Sequence, residues 1–141
     1  MTALAKTYVL DANSVLDYID DGPGAGTTER LLLQASRSEV LLLISVLNFG
    51  ETFYWVWRER GREKANNTAD DLLKLPLQVV PVDLAQALKA RELKATHKIP
   101  FVDCIAAALC IIKKATLVTS DRDFEKLGRK FPVHWIARPR P

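Results

Sequence analysis

Acidic residues stand at four places where this 141-residue chain passes from one regular element to the next. Asp11 closes the apolar run Tyr8-Val9-Leu10, and Asp121 follows Thr116-Leu117-Val118-Thr119. Glu51 lies early in a helical segment after the run from Val40 to Ile44, and Asp103 sits in the first turn of another helix. Asp123 follows Asp121 by two positions, a spacing that lets both carboxylates share an ion directly or through water. In an open parallel sheet the carboxyl ends of the strands share one edge, and ligands bind there. Carboxylates gathered at that edge repel: at roughly 4 Å and an effective dielectric near 20, each pair costs about 4 kcal/mol. A cation among them, or protons on some of them, removes that cost. Hard oxygen donors point to Mg²⁺ or Mn²⁺, so the pattern predicts a metal-dependent site.

Each position also has a purely structural reading. Asp11, in Val9-Leu10-Asp11-Ala12-Asn13-Ser14, can cap the helix that opens there, and Glu51 can be an ordinary surface glutamate beside Gly50. Asp121 and Asp123 can form a capped turn, with Asp123 as the cap and Phe124 plugging the core. Asp103 is the most diagnostic, because the residues after it, Cys104 to Ile112, are apolar on every side of a helix. An unpaired carboxylate near the core costs roughly several kcal/mol, and the helix N-terminus returns only about 0.3–1 kcal/mol of that. His97 and His134 lack the spacing of a metal-ligand pair, and the glycines at 22, 24 and 26 follow a helix rather than a strand, which excludes a phosphate-binding P-loop. No Ser-His-Asp or Cys-His order with supporting context is present.

The elements that must carry these residues are readable from apolar periodicity. Lys6 to Leu10, Val40 to Ile44, Leu77 to Val80 and Thr116 to Thr119 read as buried strands, with Val133 to Ile136 a marginal edge strand. Between them, helices are expected over Asn13 to Asp20 and from an N-cap at Thr27 to Arg37. Ser45 is expected to cap a helix through Val46 to Arg60, ended by Gly61 and followed by a helix from Arg62 to Leu75. Leu84 to His97 should turn Leu84, Leu88 and Leu93 inward, Phe101 to Ile112 should be buried, and Asp123 to Leu127 should be short. Strands alternating with helices define an α/β/α sandwich around a mostly parallel sheet of four or five strands. The expectation is a single domain over residues 1–137, with a frayed tail at 138–141.

Composition agrees. At 48% apolar the chain fits one domain with a sizeable core. The run Val40 to Leu47 is too short to span a bilayer and no signal-peptide segment precedes the first strand, so a cytoplasmic protein is expected. Cys104 and Cys110 fall six residues apart on one helix, roughly 9 Å, too far for a disulfide. Net charge is only +3, but Arg58 to Lys64 holds four basic and two acidic residues, and Arg122 to Pro141 six basic and two acidic. Basic arms around an acidic pocket suit a polyanion gripped while a metal acts on one phosphate.

From Val9-Leu10-Asp11 to Thr119-Ser120-Asp121-Arg122-Asp123-Phe124, with Glu51 and Asp103-Cys104-Ile105-Ala106-Ala107-Ala108 between, the chain resembles a PIN domain. It is most similar to the VapC-type toxin ribonucleases of toxin–antitoxin pairs. The resemblance implies a Mg²⁺- or Mn²⁺-dependent endoribonuclease, usually a homodimer, held inactive by a cognate antitoxin. The positions matching the family's acids are Asp11, Glu51, Asp103 and Asp121, with Asp123 sometimes contributing, and Asn13 and Thr119 look like supports of the site. Cys104 replaces the small residue usual after the third acid. The aromatic run Phe53 to Trp57 is less typical and fits a dimer or antitoxin surface.

The mechanism this suggests is cleavage of single-stranded or loop RNA by metal-activated water. Arg122, Lys98 and the Arg58 to Lys64 stretch would position the backbone. Two rivals stand beside it. A receiver-type phosphoacceptor domain shares the sandwich and strand-end acids but needs a strand-end lysine that is not evident here. A non-catalytic RNA- or partner-binding module would bind no divalent cation.

Overall fold

Five strands build one sheet in which every pairing is parallel: β1 (Lys6–Leu10), β2 (Val40–Ser45), β3 (Gln78–Val80), β4 (Thr116–Thr119) and β5 (Val133–Trp135), in the order β3-β2-β1-β4-β5. The structure, a computed structural model, describes residues 5–137, and the tail expected at 138–141 lies outside them. From β1 the chain adds β2 and β3 on one side, then crosses to add β4 and β5 on the other. The order therefore reverses between β1 and β4, which is where ligands bind in sheets of this type.

Strand parity divides the core. Val9, Leu43 and Leu117 face one layer, while Leu10, Leu42, Ile44 and Val118 face the other. The second layer is filled by α1 (Ala12–Asp20), α2 (Ala25–Ser36) and the end of α4 (Arg62–Leu73), through Val15, Leu31, Leu32 and Leu72. The first is filled by α6 (Phe101–Lys113) and by Phe124 of a 3-10 helix (Arg122–Leu127). α5 (Leu84–Thr96) packs outside α6, and α3 (Val46–Arg60) leads directly off β2. Residues 103–110 of α6 are all buried because the sheet lies on one side and α5 on the other. The alanines at 106, 107 and 108 let the backbones approach. Both cysteines of this helix are free and buried, and burial pushes both thiols up in pKa.

Several boundaries differ from expectation. α2 starts at Ala25, with Gly24 at the N-cap rather than Thr27. Thr28 is buried instead, and its hydroxyl donates to the Ser14 carbonyl (3.0 Å), tying α2 to α1. α4 ends at Leu73, ahead of Pro76. The inward face of α5 was misassigned. Leu84 and Leu88 are 74% and 42% exposed, while Gln86 and Ala90 are buried. The close approach of α5 to the alanine-rich α6 favours a small residue, and Gln86 Nε2 donates to the Ile105 carbonyl across it (3.1 Å). Leu93 does pack inward as expected. Among the described residues, no helix is long and apolar enough to cross a membrane.

Candidate metal centre

Asp11 is the residue immediately after β1, at the point of strand-order reversal. Its backbone N–H continues the ladder to the Val118 carbonyl (3.3 Å), so the carboxylate is held at the level of Thr119 on β4. It is 4% exposed, and its two oxygens have separate donors. Oδ1 accepts the Asn13 N–H at 2.7 Å, which caps α1, and Oδ2 accepts the Thr119 hydroxyl at 2.8 Å. The capping reading of Asp11 is therefore correct as geometry, and it does not compete with a ligand role.

Thr119 is fully buried and joins several groups. Besides donating to Asp11, its Oγ1 accepts the Asp121 N–H (3.0 Å) and the Asn13 side-chain amide (3.4 Å). Asn13 Oδ1 in turn accepts the Ser120 N–H (3.3 Å). The β1 and β4 termini are thus laced together by Asn13 and Thr119, the two residues read as supports.

Asp121, not Asp123, is the N-cap of the 3-10 helix, and its Oδ1 accepts the Asp123 N–H (2.9 Å). That turn aims Asp123 back toward α6. Carboxylate oxygens of Asp103, Asp121 and Asp123 lie within 4.8 Å of one another. Asp103 is 9% exposed, and Pro100 is the N-cap of its helix without a side-chain bond. Among the described residues its carboxylate has no ion-pair partner, and the same holds for Asp11, Glu51 and Asp121. Asp123 alone of these acids touches a cation, Lys126 at 3.3 Å, in a half-exposed pair worth about 0–1 kcal/mol.

The charges act on one another. Burial pushes the Asp103 carboxyl up to about 7, with Asp11, Asp121, Glu51 and Asp123 adding repulsion. Burial also raises Asp11 to about 7, against the two hydrogen bonds that favour its ionised form, and Asp121 and Glu51 raise it further. Glu51, half-buried on α3, is raised by burial and then by Asp121. Five acids from four separate stretches thus sense one another, and among the described residues Asp103, Asp121 and Asp123 each bring a carboxylate oxygen within 4.8 Å of the others. A concentration of hard oxygen donors whose one counter-charge among the described residues is the half-exposed Lys126 is the donor set that a divalent cation suits.

One feature was not anticipated. Asn48, one helical turn before Glu51, is buried, and its side-chain oxygen has no partner among the described residues. A polar residue in the otherwise apolar start of a helix was the available signal. Gly50 gives no steric clue, because a Cβ there would meet nothing within 4 Å. His97 ends α5, with Nδ1 near the Leu93 carbonyl (3.1 Å), and His134 packs edge-on against Tyr8.

Fold and site define a compact α/β nuclease-like domain with acids at the switch point of a parallel sheet. Residues 8–130 match the PIN domain, and the chain belongs to that family. Solved structures similar to it include VapBC complexes and a VapC toxin. VapBC2 from Rickettsia felis, bound to a DNA fragment from its promoter, superposes with a TM-score of 0.76 at 21% identity, covering 93% of this chain and 99% of that one. DNA-bound VapBC from Salmonella typhimurium gives 0.75 at 20% identity, over 92% and 97%. VapC20 of Mycobacterium tuberculosis, a toxin that cleaves the sarcin-ricin loop, gives 0.68 at 21% identity, over 86% and 95%. At these identities the likeness is one of fold. No curated protein matches the sequence.

Proposed function

We propose that this PIN domain is a Mg²⁺- or Mn²⁺-dependent endoribonuclease, the cytoplasmic toxin of a toxin–antitoxin pair. The observation that carries the reading is the convergence of Asp103, Asp121 and Asp123 within 4.8 Å at a buried sheet edge with Asp11 and Glu51 coupled to them. Asp103, Asp121 and Asp123 would hold the ion, with Asp11 and Glu51 completing the acidic wall. When bound, a divalent cation lowers the pKa of a bound water and stabilises charge on a phosphate.

The chain's own residues supply the rest. Thr119 and Asn13 fix the Asp11 rotamer and the β4 end, so the acids are positioned before substrate arrives. One carboxylate, Asp103 or Asp121, would also orient the attacking water. Arg122, between Asp121 and Asp123 in sequence, and Lys98, whose carbonyl accepts from Lys126 Nζ, would grip the RNA backbone. Single-stranded or loop RNA is favoured, since duplex RNA hides its bases. The neighbours crystallised as VapBC complexes support a cognate antitoxin as partner. Tyr54, Trp55 and Trp57, 39–50% exposed on α3, offer an aromatic surface for that partner or for a second copy.

The test is cleavage of loop-containing RNA with Mn²⁺, with EDTA, and by Asp103→Asn and Asp11→Asn. Activity that survives EDTA or either substitution removes this centre from the reaction.

A further inference from the structure

Along the 3-10 helix that carries Asp123 lies a concavity that the reading above does not use. It occupies about 450 Å³ between the 3-10 helix and β5, and Phe124, Arg129, Phe131, Val133 and Trp135 are among the residues that line it. Its volume falls within the roughly 300–1,000 Å³ of small-molecule sites. Its position follows from the register. Trp135 is the β5 partner of Thr119, the residue that bonds Asp11, so the indole stands one strand away from the acids. The same short helix carries Asp121 as its cap, Asp123 in its first turn, and Phe124 and Glu125 in the wall of the cavity.

The chemistry of the lining is that of a stacking site with a charged rim. Arg122 lies over the Trp135 ring at 4.3 Å from guanidinium carbon to centroid. Its NH1 also bonds Glu125 at 3.0 Å, an exposed pair of small net worth. Arg129, which lines the cavity, is exposed and forms no ion pair with a described residue. Of the residues that line the cavity, Glu125 is engaged by Arg122, which leaves the Arg129 guanidinium as the charge without an ion pair to a described residue. Aromatic rings beside an unpaired cation match a nucleotide, whose base stacks and whose phosphate pairs.

We infer that this cavity is the subsite for one nucleotide of single-stranded RNA flanking the scissile phosphate, its base stacked against Trp135 and its phosphate held by Arg129. The inference rests on the nuclease reading for the word flanking, but binding itself does not. It makes the 3-10 helix a common mount: one face presents acids to the phosphate that is cut, and the other seats the neighbouring base.

The experiment uses the full chain with Trp55→Phe and Trp57→Phe, leaving Trp135 as the sole indole. A short single-stranded oligoribonucleotide is titrated in EDTA while Trp135 fluorescence is followed, and cleavage kinetics are measured separately with Mn²⁺. Saturable quenching is expected, weakened at least fivefold by Arg129→Glu, an exposed position that does not threaten folding. In cleavage, Arg129→Glu and Trp135→Leu should raise KM roughly fivefold or more, as for loss of one stacked base, and more than they lower kcat. Cleavage that is insensitive to both substitutions overturns the subsite and leaves the nuclease reading standing. Quenching without any cleavage retains the nucleotide site and removes the nuclease. Equal quenching by inorganic polyphosphate of the same charge marks an unspecific anion surface and overturns the stacking.

Discussion

The Thr119 hydroxyl donates to Asp11 Oδ2 at 2.8 Å, a bond between residues 108 positions apart that joins the ends of two adjacent parallel strands. It fixes the carboxylate that closes β1 to the strand that delivers Asp121 and Asp123. Neither residue is exposed enough for water to replace the contact. The acidic centre is therefore part of the sheet, and its geometry is set when β1 and β4 pair.

Removing that hydroxyl should be costly without changing shape. Thr119→Val keeps the volume but leaves Asp11 Oδ2 and the Asp121 N–H without their partner, a loss of about 1–3 kcal/mol. Divalent-ion affinity should fall roughly 10- to 100-fold, the usual effect of deleting a group that orients a ligand. Thr119→Ser should restore most of both. Calorimetric titration with Mn²⁺ reads the affinity, and urea unfolding reads the stability. Unchanged Mn²⁺ affinity in the valine variant would show that the bond orients nothing that binds metal.

The pH dependence of stability without metal follows from Asp11 and Asp103, and Asp11 shows the sign. Its carboxyl is raised from 3.8 to about 7 in the folded state. Folded protein therefore binds more protons than unfolded protein between those values, and stability falls as pH rises through that window. Below about pH 4 both states are protonated and the penalty is absent; above about pH 7 it is complete. At roughly 1.4 kcal/mol per pKa unit, it amounts to a few kcal/mol. Urea midpoints in EDTA should thus decline between pH 4 and pH 7, and Asp11→Asn should remove part of the decline, the share of Asp103, also raised to about 7, remaining. Added Mn²⁺ should recover stability most at high pH, where ligands are ionised. A wild-type midpoint in EDTA that stays level or climbs over this range sinks the argument.

A third test concerns the turn that leads from α1 into α2. Asp17 Oδ2 accepts the Gly24 N–H at 2.9 Å, and a Cβ on Gly24 would come within 2.5 Å of Ile136 Cδ1 and 2.6 Å of Asp17 Oδ2. Ile136 belongs to the core and its N–H bonds the Thr119 carbonyl (3.0 Å), so the crowding abuts the β4–β5 junction. Gly24→Ala should cost about 1–3 kcal/mol, as overpacking does. Thermal unfolding checks the size. Stability equal to wild type would mean that Ile136 has room to move.

Much of this was visible in the sequence, for identifiable reasons. Continuous apolar runs marked the strands because parallel strands are covered on both faces, and Ser45 and Gly61 marked the limits of α3 by their capping chemistry. The acids were legible because strand ends and the first turn of α6 leave few structural uses for charge. What was hidden depends on partners. The inward face of α5 was invisible because Leu84, Leu88 and Leu93 satisfy helical periodicity as well as Gln86 and Ala90 do, and only contact with α6 chooses between them. The Asp121 cap, the place of Thr119 as a hub, and the proximity of Trp135 to the acids all arise from pairing of β4 with β1 and β5. Register of that kind is not written in either strand alone.

The acids should not be equivalent, and their differences predict a ranking. Asp103 has no ion pair with a described residue and stands on a rigid buried helix, so its oxygens are the most available to a cation. Asp121 commits Oδ1 to the Asp123 N–H, and Asp123 shares its carboxylate with Lys126. Asp103→Asn should therefore weaken Mn²⁺ binding most, Asp121→Asn next, and Asp123→Asn least. Lys126→Ala should tighten binding slightly, because it frees Asp123 from a competitor. Neutralising Asp103 also removes repulsion from Asp11, Asp121 and Glu51, so the metal-free Asp103→Asn protein should melt higher than wild type at pH 8. Gain of stability with loss of ion binding is the signature of charges held together for a ligand rather than for the fold. Titration calorimetry and thermal melts of the four variants decide it, and a metal-free Asp103→Asn protein that melts lower than wild type would mean that the carboxylate is a structural contact after all.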